Sequence, residues 1–211
     1  MTAKRQTHVR SIVVIALAYI IGALAYPWLP GRFLDERPSM RVLIAFALPT
    51  AALVIYGLFR SLWHHDRVRT GNGAFEATYH AIVFRTMVFV LALHAVVMVM
   101  LTDAMDDVAI RSWGGRGVVV MLGVTIVAIG NLLPRTRPNV AFGLRTARTL
   151  TDVQLWQQVH RVGGYLAVAI GALTAISGLM VKPMVGISAV FLSALLATAV
   201  IFVTYRKNAN V

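Results

Sequence analysis

Apolar positions in this chain do not alternate with polar ones. They come in continuous runs, at 11–29, 41–63, 77–101, 117–133, 162–181 and 185–205, separated by shorter polar and basic stretches. Each run approaches or exceeds the ~20 helical residues that cross a hydrocarbon core of ~30 Å. Membrane strands would show a dyad alternation in segments of ~10 residues, which is absent here. The pattern therefore predicts an all-α fold, a polytopic bundle of six transmembrane helices. The first run follows Lys4, Arg5 and Arg10, as the apolar core of a secretory signal would, yet it ends in Tyr26-Pro27-Trp28 rather than in small residues and reads as a retained helix.

Composition agrees: 58% of residues are hydrophobic, 13% are charged and the mean hydropathy is +0.74, far from a soluble domain. The net charge of +12 changes the picture through its distribution. With the amino terminus inside, thirteen cations, among them Lys4, Arg60, Arg135, Arg145 and Arg206, fall in inner segments; six, among them Arg32, Arg41 and Arg116, fall outside. This positive-inside asymmetry predicts cytoplasmic amino and carboxyl termini. Cations at helix ends set topology and meet the headgroups of the lipid bilayer, so nucleic acid is not an expected direct partner.

Little in the chain suggests catalysis. Cysteine is absent, which excludes disulfides and thiolate metal sites. Acidic residues stay in loops or at helix margins, with no Ser-His or paired-Asp arrangement inside a run and no nucleotide fingerprint. Asp103, Asp106 and Asp107 read as a solvated outer cluster rather than a metal site. The expectation is a protein that is not an enzyme and holds no metal or cofactor.

The densest chemistry lies between the fourth and fifth runs. Pro134 and Pro138 stop the fourth helix, because each lacks an N–H and turns its predecessor away from helical geometry. Asn139, Gly143, Arg145 and Thr146 supply turn and hydrogen-bonding groups. Thr151 and Asp152 are placed to cap a short helix carrying Leu155, Trp156, Val159 and His160. That helix is expected to lie in the interface with its indole at headgroup depth. Arg145 is the expected central donor, its planar guanidinium bridging several carbonyls or the Asp152 carboxylate.

The order Gly130-Asn131, Pro134, Arg137-Pro138-Asn139, Gly143, Arg145-Thr146, Thr149-Leu150, Trp156, His160-Arg161 and Gly163-Gly164 resembles the SdpI family of bacterial multipass membrane proteins. The resemblance is specific over 130–164 and extends as topology through 211. It divides the chain into a three-helix part, 1–116, with a degraded echo of the family's amino-terminal module, and a part, 117–211, that carries the signature loop. It implies a cytoplasmic (plasma) membrane protein that confers resistance to a secreted membrane-active toxin peptide and holds a cytoplasmic regulator. Asn131, Pro134, Arg137, Pro138, Asn139, Gly143, Arg145, Thr146, Trp156, His160 and Arg161 are the implied binding residues. A small transporter, or an accessory subunit with partners in a larger membrane complex, is the alternative.

Two groups inside the third run stand out from its apolar pattern. Arg85 lies about eight residues deep, where an arginine at a helix centre costs ~2.5–3.5 kcal/mol, so it must snorkel, find an acceptor or face a wet cavity. His80 and His94 are spaced as axial ligands of two stacked haems would be. With only His160 available as an intramembrane partner, two bis-histidine sites cannot form, and His94 is expected to hydrogen-bond across helices. Finally, Gly117, Gly123 and Gly130, and Gly164, Gly171 and Gly178, recur every six or seven residues. They predict a close antiparallel hairpin of the fourth and fifth helices.

Overall fold

The computed structural model describes residues 3–29, 38–70, 75–102 and 108–180, and then 188, 193, 195, 198–203 and 205–206. The described elements are helices α1 (Ala3–Ala25), α2 (Pro38–Thr70), α3 (Glu76–Leu101), α4 (Val108–Gly130), α5 (Ala147–Thr151) and α6 (Val153–Met180), with short 3-10 turns at Tyr26–Trp28 and Leu133–Arg135. Five of these, all but α5, are long and apolar enough to cross a membrane, and no strand occurs among the described residues. The described parts of the sixth run are helical. The full count of six, the carboxyl terminus and the outer carboxylates Asp103, Asp106 and Asp107 lie outside the described residues.

Two boundaries differ from the hydropathy pattern. Helix α2 continues past Trp63 to Thr70, so His64 and His65 are helical rather than in a loop. Tertiary anchoring explains the extension, since Trp63 and Asp66 are both buried. Helix α4 starts at Val108, which puts Arg111 and Arg116 on the helix instead of the preceding connection.

Helix carboxyl ends in an apolar medium leave carbonyls that water cannot satisfy, and a cation there also meets the negative end of the helix dipole. Three arginines supply that function from neighbouring helices. Arg41 donates to the Leu29 carbonyl beyond α1, Arg116 to Leu179 at the end of α6 over 3.2 Å, and Arg85 to Ala128 at the end of α4. The Arg85 contact follows from local geometry. The last turn of α4 tightens, with Leu132 N–H bonding to Ile129 instead of Ala128, and the released Ala128 carbonyl accepts from the guanidinium.

Helices α1 to α3 pack through a buried cluster of Ile15, Ala52, Tyr56, Trp63, Phe75, Tyr79, Val83, Met87 and Val90. Its aromatic members meet ring to ring: Trp63 lies 4.7 Å from Tyr79 and 5.5 Å from Phe75. Tyr79 donates its hydroxyl to the Phe59 carbonyl over 2.6 Å, a partner that a buried phenol needs. Nearer the amino end of α2, Pro49 has no N–H to give the Ala45 carbonyl, and Gly22 of α1 packs directly against that carbonyl. His94 is wholly buried at the same junction, with the Ala18 carbonyl facing its ring, but neither ring nitrogen reaches hydrogen-bonding geometry. The Ala18 carbonyl of α1 is thus the cross-helix group that His94 faces.

Helices α4 and α6 form the predicted antiparallel hairpin. A Cβ on Gly171 would lie 2.6 Å from the Gly123 carbonyl oxygen and one on Gly130 2.7 Å from Ala167 Cβ, while Gly178 faces Val120. Gly123 in turn fits against the Gly171 and Ala175 backbone. Gly117 faces open space and drops out of the contact.

Candidate functional site

The segment between α4 and α6 is a closed structure held by its own polar side chains. At its start, Pro134 packs on Gly164, where a Cβ would approach the proline ring to 2.8 Å. Thr136 then turns the chain: its hydroxyl donates to Leu133 over 2.7 Å and accepts from the Trp156 indole N–H at 3.2 Å. Asn139, 1% exposed, staples the next turn. Its Oδ1 accepts from Ala141 N–H and Phe142 N–H at 2.9 and 2.8 Å, and its amide donates to the Arg137 carbonyl at 2.7 Å. Irregular backbone next to a membrane persists only where such partners are internal.

Gly143 has φ +91°, a left-handed conformation that L side chains avoid, and its missing Cβ makes room for the His160 ring. This close approach lets Leu144 N–H donate to His160 Nε2 over 3.2 Å, while Nδ1 bonds the Trp156 carbonyl at 2.8 Å. Both bonds together require the neutral tautomer with its proton on Nδ1. The imidazole also stacks on the Trp156 indole, with centroids 3.8 Å apart and planes 12° from parallel. Leu144 is clamped from its other side as well, because the Thr149 hydroxyl donates to its carbonyl at 2.8 Å. Thr146 and Thr149 form a reciprocal capping box that starts α5.

The structure departs from the sequence expectation at two points. The helix bearing Trp156 and His160 is not a separate interfacial piece: Asp152 caps α6 itself, accepting from Gln154 N–H and Leu155 N–H at 2.8 and 3.0 Å, and α6 runs unbroken to Met180. Trp156 is 0% exposed, its indole packed inside the protein rather than turned outward to the headgroups. Internal partners for its N–H and ring face explain the choice. Arg145 is exposed and donates to the Val140 carbonyl; with Asp152 engaged at α6, His160 and Asn139 take the centre that Arg145 was expected to hold.

The structure brings Pro134, Asn139, Gly143, Thr146, Trp156 and His160 together. Asn131, Arg137 and Arg161 are exposed around them, and Pro138 is half-buried. Arg85 and His94 lie apart, in the bundle. Sequence reasoning missed Thr136, Phe142 and Asp66, and placed Thr149 in the family pattern without a binding role. Asp66 on α2 accepts from Val140 N–H at 3.2 Å, and the Phe142 ring lies 4.8 Å from Tyr79 and 5.1 Å from Phe59. These contacts bind the loop to the three-helix part. An acidic residue just past an apolar run was the available signal for Asp66; Phe142 offered none. Beneath the loop, an apolar cavity of about 290 Å³ is lined by Gly143, Leu144, Val159, His160, Gly163 and Ile201, among others.

Comparison with known proteins agrees with the residue pattern. Residues 135–205 match the SdpI/YfhL protein family. The chain is also 23% identical over 173 residues to Immunity protein SdpI of Bacillus subtilis (strain 168), covering 79% of this chain and 78% of that protein. No solved structure matches. The family resembled by residues 130–164 is thus the one both comparisons return, and the matched region, 135–205, contains nearly the whole of the loop structure.

Proposed function

We propose that this chain is a non-enzymatic immunity protein of the bacterial cytoplasmic membrane, protecting the cell against a secreted membrane-active peptide, with its signature loop and both termini on the cytoplasmic side. The observation that supports this most directly is the state of the loop's polar groups. His160, Thr136, Asn139 and Thr149, the side chains that could do chemistry, are all buried and engaged in internal hydrogen bonds. Such a structure preserves a shape and presents it, which suits recognition better than proton or group transfer.

Exposed cations surround that shape. Arg135, Arg137, Arg148 and Arg161 offer a basic rim suited to an acidic cytoplasmic regulator, and this favours partner capture as a second activity of the same face. The transport reading has less support: Arg85 is used to cap α4, and His94 is sealed between helices.

The test is survival of a peptide-sensitive bacterium expressing the wild-type chain or Gly143→Val at matched membrane levels. Protection by the wild type and its loss in the variant is the expected result. Equal sensitivity of cells with and without the wild-type chain, across a panel of membrane-active peptides, would remove the immunity reading.

A further inference from the structure

Arg85 caps α4 through one N–H, which leaves most of its chemistry unused. A guanidinium carries five donors and a full charge, and a carbonyl neutralises none of that charge. Among the described residues no carboxylate reaches it: Asp66 accepts from Val140, Glu76 pairs with His80, and Asp152 caps α6. The residue is half-buried at the edge of a groove of about 330 Å³ between α3 and α4, lined by Phe84, Val88, Ala92, Val120, Val124 and Thr125, among others. That size falls at the low end of the ~300–1,000 Å³ of small-molecule sites. The groove opens on the lipid side, since Val88 is 40% and Val124 56% exposed.

We propose that this groove is a binding site for one anionic phospholipid, with an acyl chain along the apolar walls and the phosphate on Arg85. Charge complementarity selects this occupant. An arginine held about nine residues, or ~14 Å, past the start of α3 needs a counter-ion that the described chain does not provide, and an anionic lipid of the adjoining leaflet carries one. The planar fork suits phosphate oxygens, taken two at a time, while Nη1 keeps its bond to Ala128. The bound lipid then bridges α3 and α4 beside the α4–α6 glycine contact, with Val120 common to both.

Thermal unfolding of the full chain in a neutral detergent provides the test, with phosphatidylglycerol, phosphatidylcholine or inorganic phosphate added. Phosphatidylglycerol should raise the wild-type Tm by on the order of 5 °C, and the other two should do much less. Arg85→Gln should lose most of that rise. Ala92→Phe, which fills the groove and leaves the charge, should lose it too, and decides the matter alone if Arg85→Gln does not fold. Arg135→Gln, on the exposed rim, should retain it. An equal rise with phosphatidylcholine or with inorganic phosphate would overturn the assignment, as would a rise that survives Ala92→Phe.

Discussion

Helices α1 to α3 and the α4–α6 hairpin meet the same difficulty by different means. Lipid tails are as apolar as leucine, so burial alone does not hold helices together in a membrane. The hairpin answers with absence: glycines on both faces bring backbone against backbone at Gly123, Gly171 and Gly130. The three-helix part answers with bulk, filling its space with Trp63, Phe75 and Tyr79, and among its described residues a close glycine contact between these helices occurs at Gly22. The first mode is intolerant of added atoms and the second of removed ones. The signature loop is joined to both, through Pro134 on Gly164 and through Phe142 on Tyr79.

The sharpest way to break this contrast is to add volume to the hairpin. Gly171→Leu should produce the largest fall in Tm in detergent, since overpacking already costs ~1–3 kcal/mol in cores with room to adjust and here the obstacle is backbone. Leu166→Ala, at a half-buried position, should cost much less. Equal losses would mean that the helices can separate without penalty. Next comes Gly143→Ala, which combines a left-handed backbone, worth ~1–2 kcal/mol, with displacement of His160. Its distinctive readout is the imidazole: nitrogen NMR of wild-type His160 should show a single neutral Nδ1–H tautomer, and the variant should lose it.

Removal is the test on the other side. Tyr79→Phe keeps the ring contacts and deletes only the hydroxyl bond to Phe59, so it should cost about 0.6 kcal/mol, the average for such bonds between membrane helices. Tyr79→Ala should cost several-fold more, because it also opens a cavity beside Trp63, Phe75 and Phe142. If the two variants melt alike, the aromatic cluster is not what holds this half together.

The two halves also differ in how far the sequence discloses them. Glycines at intervals of six and seven announce a contact face, and five spans, the loop boundaries at Pro134 and Pro138 and the Trp156–His160 pair all follow from local pattern. Aromatic packing leaves no such period. Nothing in the order of residues says that Phe142 enters a cluster begun at Trp63, or that Asp66 reaches Val140 across 74 positions. Arg145 misleads for a related reason. Its type and neighbourhood suggest a hub, but which groups become hubs depends on burial, and burial went to Asn139 and His160 instead.

That reversal gives the smallest expected effect. Arg145 is exposed, and its guanidinium meets the Val140 carbonyl, an acceptor that an ammonium on a flexible stem also reaches. No carboxylate is taken as a fork, so the geometric advantage of arginine over lysine is unused. Arg145→Lys should therefore shift stability by less than ~0.5 kcal/mol, in the range of ordinary surface changes. Asn139→Ala, six residues away, should cost ~1–3 kcal/mol by stranding the N–H groups of Ala141 and Phe142 inside the loop. Urea or thermal denaturation of the two variants in one detergent makes the comparison. A large loss for Arg145→Lys with a small one for Asn139→Ala would return the centre of the loop to the arginine, and with it the reading of the loop as a charge-bridged rather than an amide-stapled structure.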